Sequence, residues 1–291
     1  MTHTLDKLLF VWSRCVLRLS RTMSVLAVSF FFLQPIGAQD YQELVRQAID
    51  AMAADSRPRA ELLLRQALQA APASAGNAIV WGHLASIAER TGREMEALDD
   101  YNIAIGLSPH TLGLLLGRAS LYMKLGREER ALVDYNDVLD LRPDHPEALL
   151  MRAFIRQRQR LYKQAREDYE HLLRLQPTHE QALLGLAVVN DNDRRPREAM
   201  ELMNHVVDLY PNHADGYIIR AGMEVDRRQY ELAETDFAKA IRLEPSNPSY
   251  YLARARYYNK VKKRKQARAD TQRAAQLGAS AEEVFGAMEG K

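Results

Sequence analysis

Apolar residues recur along this chain with the 3.6-residue rhythm of amphipathic helices, in short stretches broken at regular points by glycine or proline. Residues 129–154, "ERALVDYNDVLDLRPDHPEALLMRAF", return thirty-four residues later as "KQAREDYEHLLRLQPTHEQALLGLAV", with alanine, tyrosine and proline held while nearly every charge changes. Pro109, Pro143, Pro177, Pro211 and Pro245 stand at intervals of 34, and Pro72 precedes them by 37. With this proline as position 32, units start at Tyr41, Ala78, Leu112, Pro146, Glu180, Ala214 and Pro248. Within a unit the apolar pattern predicts one helix over positions 4, 8 and 11 and a second over 20, 24, 27 and 30. Glycine (Gly92, Gly126) stops the first helix and the proline ends the second. Polar residues such as Asp144, Thr178 and Asn212 are then placed to cap the next.

Two positions never vary. Position 8 is Ala48, Ala85, Ala119, Ala153, Ala187, Ala221 and Ala255, and position 20 is Ala60, Ala97, Ala131, Ala165, Ala199, Ala233 and Ala267. Alanine is expected where two antiparallel helices cross most closely, since a bulkier side chain would cost about 1–3 kcal/mol in overpacking. Larger residues at position 24, among them Tyr101, Tyr135, Tyr169 and Phe237, are expected to fill the gap toward the following unit. Positions 7 and 23 pair arginine with aspartate in Arg118/Asp134, Arg152/Asp168, Arg220/Asp236 and Arg254/Asp270. Both become leucine in the fifth unit, at Leu186 and Leu202, which predicts contact across the hairpin; the second unit, with Leu84 beside Asp100, breaks the pairing.

The period, the two alanines, Trp81 at position 4, Tyr122 at position 11, the aromatics at 24 and the proline at 32 resemble the tetratricopeptide repeat family over residues 41–279. The resemblance implies an all-α fold, a right-handed α-solenoid of about seven helix hairpins. The seventh unit has Ala279 in place of the proline, and the following "SAEE" sets Ser280 and Glu283 at capping-box spacing, so residues 280–291 are expected to form a short C-terminal capping helix. Residues 73–77, "ASAGN", carry a three-residue insertion and are expected to be the softest joint.

Composition changes this picture little, except at the amino terminus. Arg14, Arg18 and Arg21 precede the apolar run "MSVLAVSFFFL", which breaks at "QPIGAQ"; residues 1–38 therefore read as a secretory signal peptide, cleaved after Ala38, with Met23 an alternative start. The run is shorter than the ~20 residues of a membrane span. Export, to a bacterial periplasm, is the expectation, with an uncleaved inner-membrane anchor as the alternative. Cys15 lies upstream of the run, so a mature chain would hold no cysteine. Without the leader the chain has 36 basic and 37 acidic residues, no global field to gather nucleic acid.

No nucleophile elbow, phosphate-binding glycine loop or paired-histidine zinc motif is present, so neither enzyme activity nor a cofactor is expected. His145, His179 and His213 all occupy position 34, but equivalent atoms of successive units sit at least ~8 Å apart, too far to share one metal. They read as polar residues near helix starts. In the resembled family the inner face of the first helices binds peptides or partner helices. Its counterparts here are Leu116, Leu150, Leu184, Ile218 and Leu252 at position 5, with Phe154, Val188 and Arg256 at position 9. This predicts a protein partner whose apolar segment or helix lies in a concave groove, with Arg256 orienting one end; a tightly wound stack would instead bury these side chains. A basic edge between the helices of each hairpin, with Arg194, Arg195, Arg228, Lys262, Lys263, Arg264 and Lys265, offers an alternative site for an anionic glycan, lipid headgroup or acidic protein face.

Overall fold

The computed structural model describes residues 36–289, and in it the two apolar stretches of each repeat become two helices. Fifteen helices and no strand occur among the described residues, so the fold is an all-α repeat. First and second helices alternate: α1 Ile36–Ala53 and α2 Arg57–Ala70, α3 Asn77–Arg90 and α4 Glu94–Leu107, α5 Leu112–Lys124 and α6 Glu128–Leu141, α7 Pro146–Arg158 and α8 Tyr162–Leu175. They continue as α9 Glu180–Asn192 and α10 Pro196–Leu209, α11 Ala214–Asp226 and α12 Tyr230–Leu243, α13 Pro248–Lys260 and α14 Arg264–Gln276, then the single helix α15 Ala281–Glu289. The apolar run of the leader lies outside the described residues; among those described, no helix is long and apolar enough to cross a membrane. The chain divides into two compact units, one ending at Leu121 and the other starting at Tyr122, inside α5.

Each first helix ends on a left-handed residue at position 15. Gly92 (φ 77°) and Gly126 (φ 69°) adopt that conformation freely, whereas Asp55, Arg160, Arg194, Arg228 and Lys262 hold it at φ 53–62° against their Cβ atoms. Behind that residue the next amide reaches back to a carbonyl of the last turn, as Arg93 N–H does to Ala88 O and Leu161 N–H to Arg156 O, both at 2.8 Å. The first helices start differently from the sequence expectation. His145 and His179, not Asp144 and Thr178, cap the following helix, each Nδ1 accepting from the amide three residues on at 3.3 Å. Asp144 is turned to His171 Nε2 at 2.7 Å, and the Thr178 carbonyl accepts from the Tyr210 hydroxyl.

All fourteen alanines of positions 8 and 20 are at most 2% exposed, as close helix crossings require. The position-24 side chains reach forward to position 6 of the next unit. A Cβ on Gly117 would lie 2.5 Å from the Tyr101 hydroxyl, and one on Gly185 would lie 2.6 Å from that of Tyr169. Glycine at these places therefore makes room for tyrosine.

In the first unit, Leu64, Val80, Leu84 and Ile87 form a core with Ala48 and Ala60, against which Trp81 packs. The expected soft joint is tied down. Asn77, 3% exposed, donates to the carbonyls of Ala71 and Pro72 at 2.9 Å each, closing the loop that carries the inserted residues. Asp100 is buried with Oδ2 unpartnered, and desolvation together with nearby Glu96 raises its pKa to about 6.

In the compact unit that starts at Tyr122 the expected arginine–aspartate pairs are bidentate: Arg152 to Asp168 at 3.0 and 2.7 Å, Arg220 to Asp236 at 2.6 and 2.9 Å, Arg254 to Asp270 at 2.8 Å twice. Arg152 and Arg220 also donate to Asn136 and Asn204, on the second helix of the preceding hairpin, at 3.0 Å. Each guanidinium thus fastens three helices. The unit closes on α15, whose capping box forms: Ser280 N–H donates to Glu283 Oε2 at 2.8 Å and Glu283 N–H returns to Ser280 Oγ at 3.2 Å. Asn259 holds the far end of α15 through the carbonyls of Ala287 and Met288.

Candidate protein-binding cleft

The first helices of the second unit, α7, α9, α11 and α13, touch one another in succession, so positions 5 and 9 of neighbouring hairpins come side by side. Leu150 and Phe154 of α7 meet Leu184 and Val188 of α9 around an open cleft of about 410 Å³. Met151 and Ile219 extend the apolar wall, and Gln157 and Gln181 supply amides at its margin. Gly185 leaves room here for Tyr169, which lines the cleft and whose hydroxyl donates to Gln157 Oε1 at 3.1 Å. Burial keeps the Tyr169 phenol far from ionisation, so this lining is neutral. Phe154 is 38% exposed, an unusual state for an aromatic side chain, and Leu150, Leu184 and Val188 are half-buried. The Arg158 guanidinium stands 6.0 Å over the Phe154 ring and is itself paired with Glu128 at 2.6 Å, which fixes the ring at the rim.

The remaining groove positions are placed elsewhere. Ile218 is half-buried and faces a second cleft of about 770 Å³, where Arg256, Lys260 and Arg264 line one side and Val225 and Tyr257 the floor. Leu252 corrects the expectation: it is 3% exposed, packed with Tyr251, Ala274 and Ala287 under α15, and cannot meet a partner. Leu116 is half-buried on α5 and belongs to the first unit.

The basic edge is not one uniform field. Arg195 is drawn to Glu198 at 3.3 Å and Lys263 to Glu234 at 2.8 Å. Arg194, Arg228, Lys262, Arg264 and Lys265 are exposed. Of the position-34 histidines, His145 and His179 are caps, while His213 contacts Glu180 at 2.8 Å and stacks on Tyr210. No cluster able to hold a metal ion is found among the described residues.

Profiles of one family, the tetratricopeptide repeat, match residues 45–110, 155–214 and 112–145, which together cover more than half of the chain. The chain belongs to the tetratricopeptide repeat family. A tetratricopeptide repeat protein of Parabacteroides merdae is similar to it over 87% of this chain and 99% of that one, with 26% identity and a TM-score of 0.75. MamA of Desulfovibrio magneticus shares the fold over 58% of this chain and 96% of its own, at 24% identity and a TM-score of 0.54. PilF of Pseudomonas aeruginosa does so over 74% and 97%, at 16% identity and a TM-score of 0.55. Among curated protein sequences none matches this chain. The features that sequence reasoning missed, the asparagine at position 25 and the glycine at position 6, are visible in the sequence only as correlations, Asn102, Asn136 and Asn204 before an arginine, and Gly117 and Gly185 after a tyrosine.

Proposed function

We propose that this tetratricopeptide repeat protein, a scaffold for protein–protein interaction, holds an apolar segment or helix of its partner in the cleft between α7 and α9, and acts without catalysis as an adaptor in a bacterial cell envelope. The observation that carries the reading is the convergence of Leu150, Phe154, Leu184 and Val188 on one open apolar surface. Exposed apolar surface gathered in a concave site, rather than scattered singly, favours a protein ligand. Gln157 and Gln181 at the margin offer hydrogen bonds to the backbone or polar edge of a bound segment. Support for the envelope comes from the leader, residues 1–38, with its arginines before a short apolar run.

The test is a pull-down of envelope proteins with the wild type and with Phe154→Ser/Leu184→Ser. Neither side chain is fully buried, so helicity is expected to be retained while the captured partner is lost. Undiminished capture by the folded double variant refutes the cleft as the docking site.

A further inference from the structure

Position 15 of every hairpin lies in the left-handed region, where glycine alone is free of strain. The hairpins beginning at α7, α9, α11 and α13 put Arg160, Arg194, Arg228 and Lys262 there, at φ 61°, 59°, 62° and 62°. A non-glycine residue held so costs of the order of 1 kcal/mol. All four side chains are exposed, and none has an ion-pair or hydrogen-bond partner among the described residues.

Their neighbours behave otherwise. Arg158 is bound to Glu128, Arg227 to Asp191, Lys260 to Asp226 and Lys263 to Glu234, all at 2.6–2.9 Å. Arg227 and Lys260 each reach the end of the preceding first helix, at Asp191 and Asp226, and the shared repeat position sets the four unpaired cations in a row, one per hairpin. Packed helices lie about 8–10 Å apart. An extended polypeptide rises about 3.3 Å per residue, so every third residue of such a strand advances about one hairpin.

We infer that the row Arg160, Arg194, Arg228 and Lys262 is a second docking surface, separate from the apolar cleft, for an extended acidic polypeptide with Asp or Glu at every third residue. Glycine at these places would relieve the strain but remove the charge. A single exposed pair contributes little, and the row gains affinity by engaging several at once.

The test uses the full chain and a fluorescent peptide of four Glu-Gly-Ser triplets, compared with a peptide of the same composition whose glutamates are contiguous. Anisotropy is expected to show binding of the spaced peptide at low salt, weakened steeply by added salt, and tighter than that of the contiguous one. Replacing all four cations by glycine is expected to reduce affinity at least ~10-fold while the melting temperature stays equal or rises, because strain is released. Replacement by asparagine, which tolerates the left-handed region, gives the same loss of affinity with the side chains kept polar. Absent binding, equal affinity for the two peptides, unchanged affinity in both variants, or binding of phosphatidylglycerol vesicles in place of the peptide would each overturn the inference.

Discussion

Arg152 and Arg220 occupy the same repeat position and make the same bidentate bond, yet their removal is expected to cost different amounts. Asp236, 5% exposed, takes its hydrogen bonds from Arg220. Arg220→Leu leaves that carboxylate buried and unpaired and cuts the bond to Asn204, a loss of about 3–5 kcal/mol by the behaviour of broken buried pairs. Asp168 is equally buried but keeps Arg156, whose Nη1 donates to Oδ2 at 2.6 Å. Arg152→Leu is therefore expected to cost about 1–2 kcal/mol, the scale of lost hydrogen bonds rather than of a stranded charge. Adding Asp236→Leu to Arg220→Leu should recover about 2 kcal/mol or more, since an apolar pair replaces the ions as Leu186 and Leu202 do in the next-lower hairpin. The assay is urea unfolding followed by far-ultraviolet circular dichroism, in a Glu224→Gln background so that the neighbouring carboxyl does not titrate. Equal costs for the two arginine variants, or additive effects of Arg220→Leu and Asp236→Leu, would refute the reasoning.

Glu224 is buried with one oxygen unpartnered, and desolvation with the nearby Asp236 charge raises its pKa to about 7. The folded chain thus keeps a proton that the unfolded chain releases near 4.5, and stability falls as pH rises from 4.5 through 7; Glu224→Gln is expected to flatten that slope and to add about 2 kcal/mol at pH 8, read from melts at several pH values. Leu84→Arg places a guanidinium beside Asp100, as its counterparts have, and should lower that carboxyl's pKa from about 6, seen by NMR titration, while the loss of a core leucine lowers the first unit's stability. Gly185→Ala forces Tyr169 out of its place and is expected to cost about 1–3 kcal/mol, with weaker partner capture because the cleft lining moves; Gly113→Ala, on open surface, is its control.

The register of the fold was legible because the alanines, the prolines and the aromatics each mark a different contact and all agree on one period. The arginine–aspartate pairs could be read from a paired exception at Leu186 and Leu202. The lateral bonds to Asn136 and Asn204 could not, because they link different units and an exposed asparagine has many local uses. Helix capping by His145 and His179 was hidden for a related reason: Asp144 and Thr178, better cap formers, stand one residue too early for the turn. Of the groove residues, Leu150, Phe154, Leu184 and Val188 could be placed by the repeat register together with the family resemblance, whereas Leu252 is buried by α15, an element outside the repeat. The division at Leu121 and Tyr122 falls where the 34-residue period runs unbroken, so no change of pattern announces it.

The measurement that bears most directly on the proposed docking site is photo-crosslinking in the native cell from a reactive amino acid placed at Phe154, on the cleft rim, and separately at Gln164, exposed on α8. The account predicts a defined protein adduct from position 154 that disappears with Leu184→Ser, and none from position 164. Identical adducts from both positions, or an adduct at 154 that survives Leu184→Ser, would contradict it.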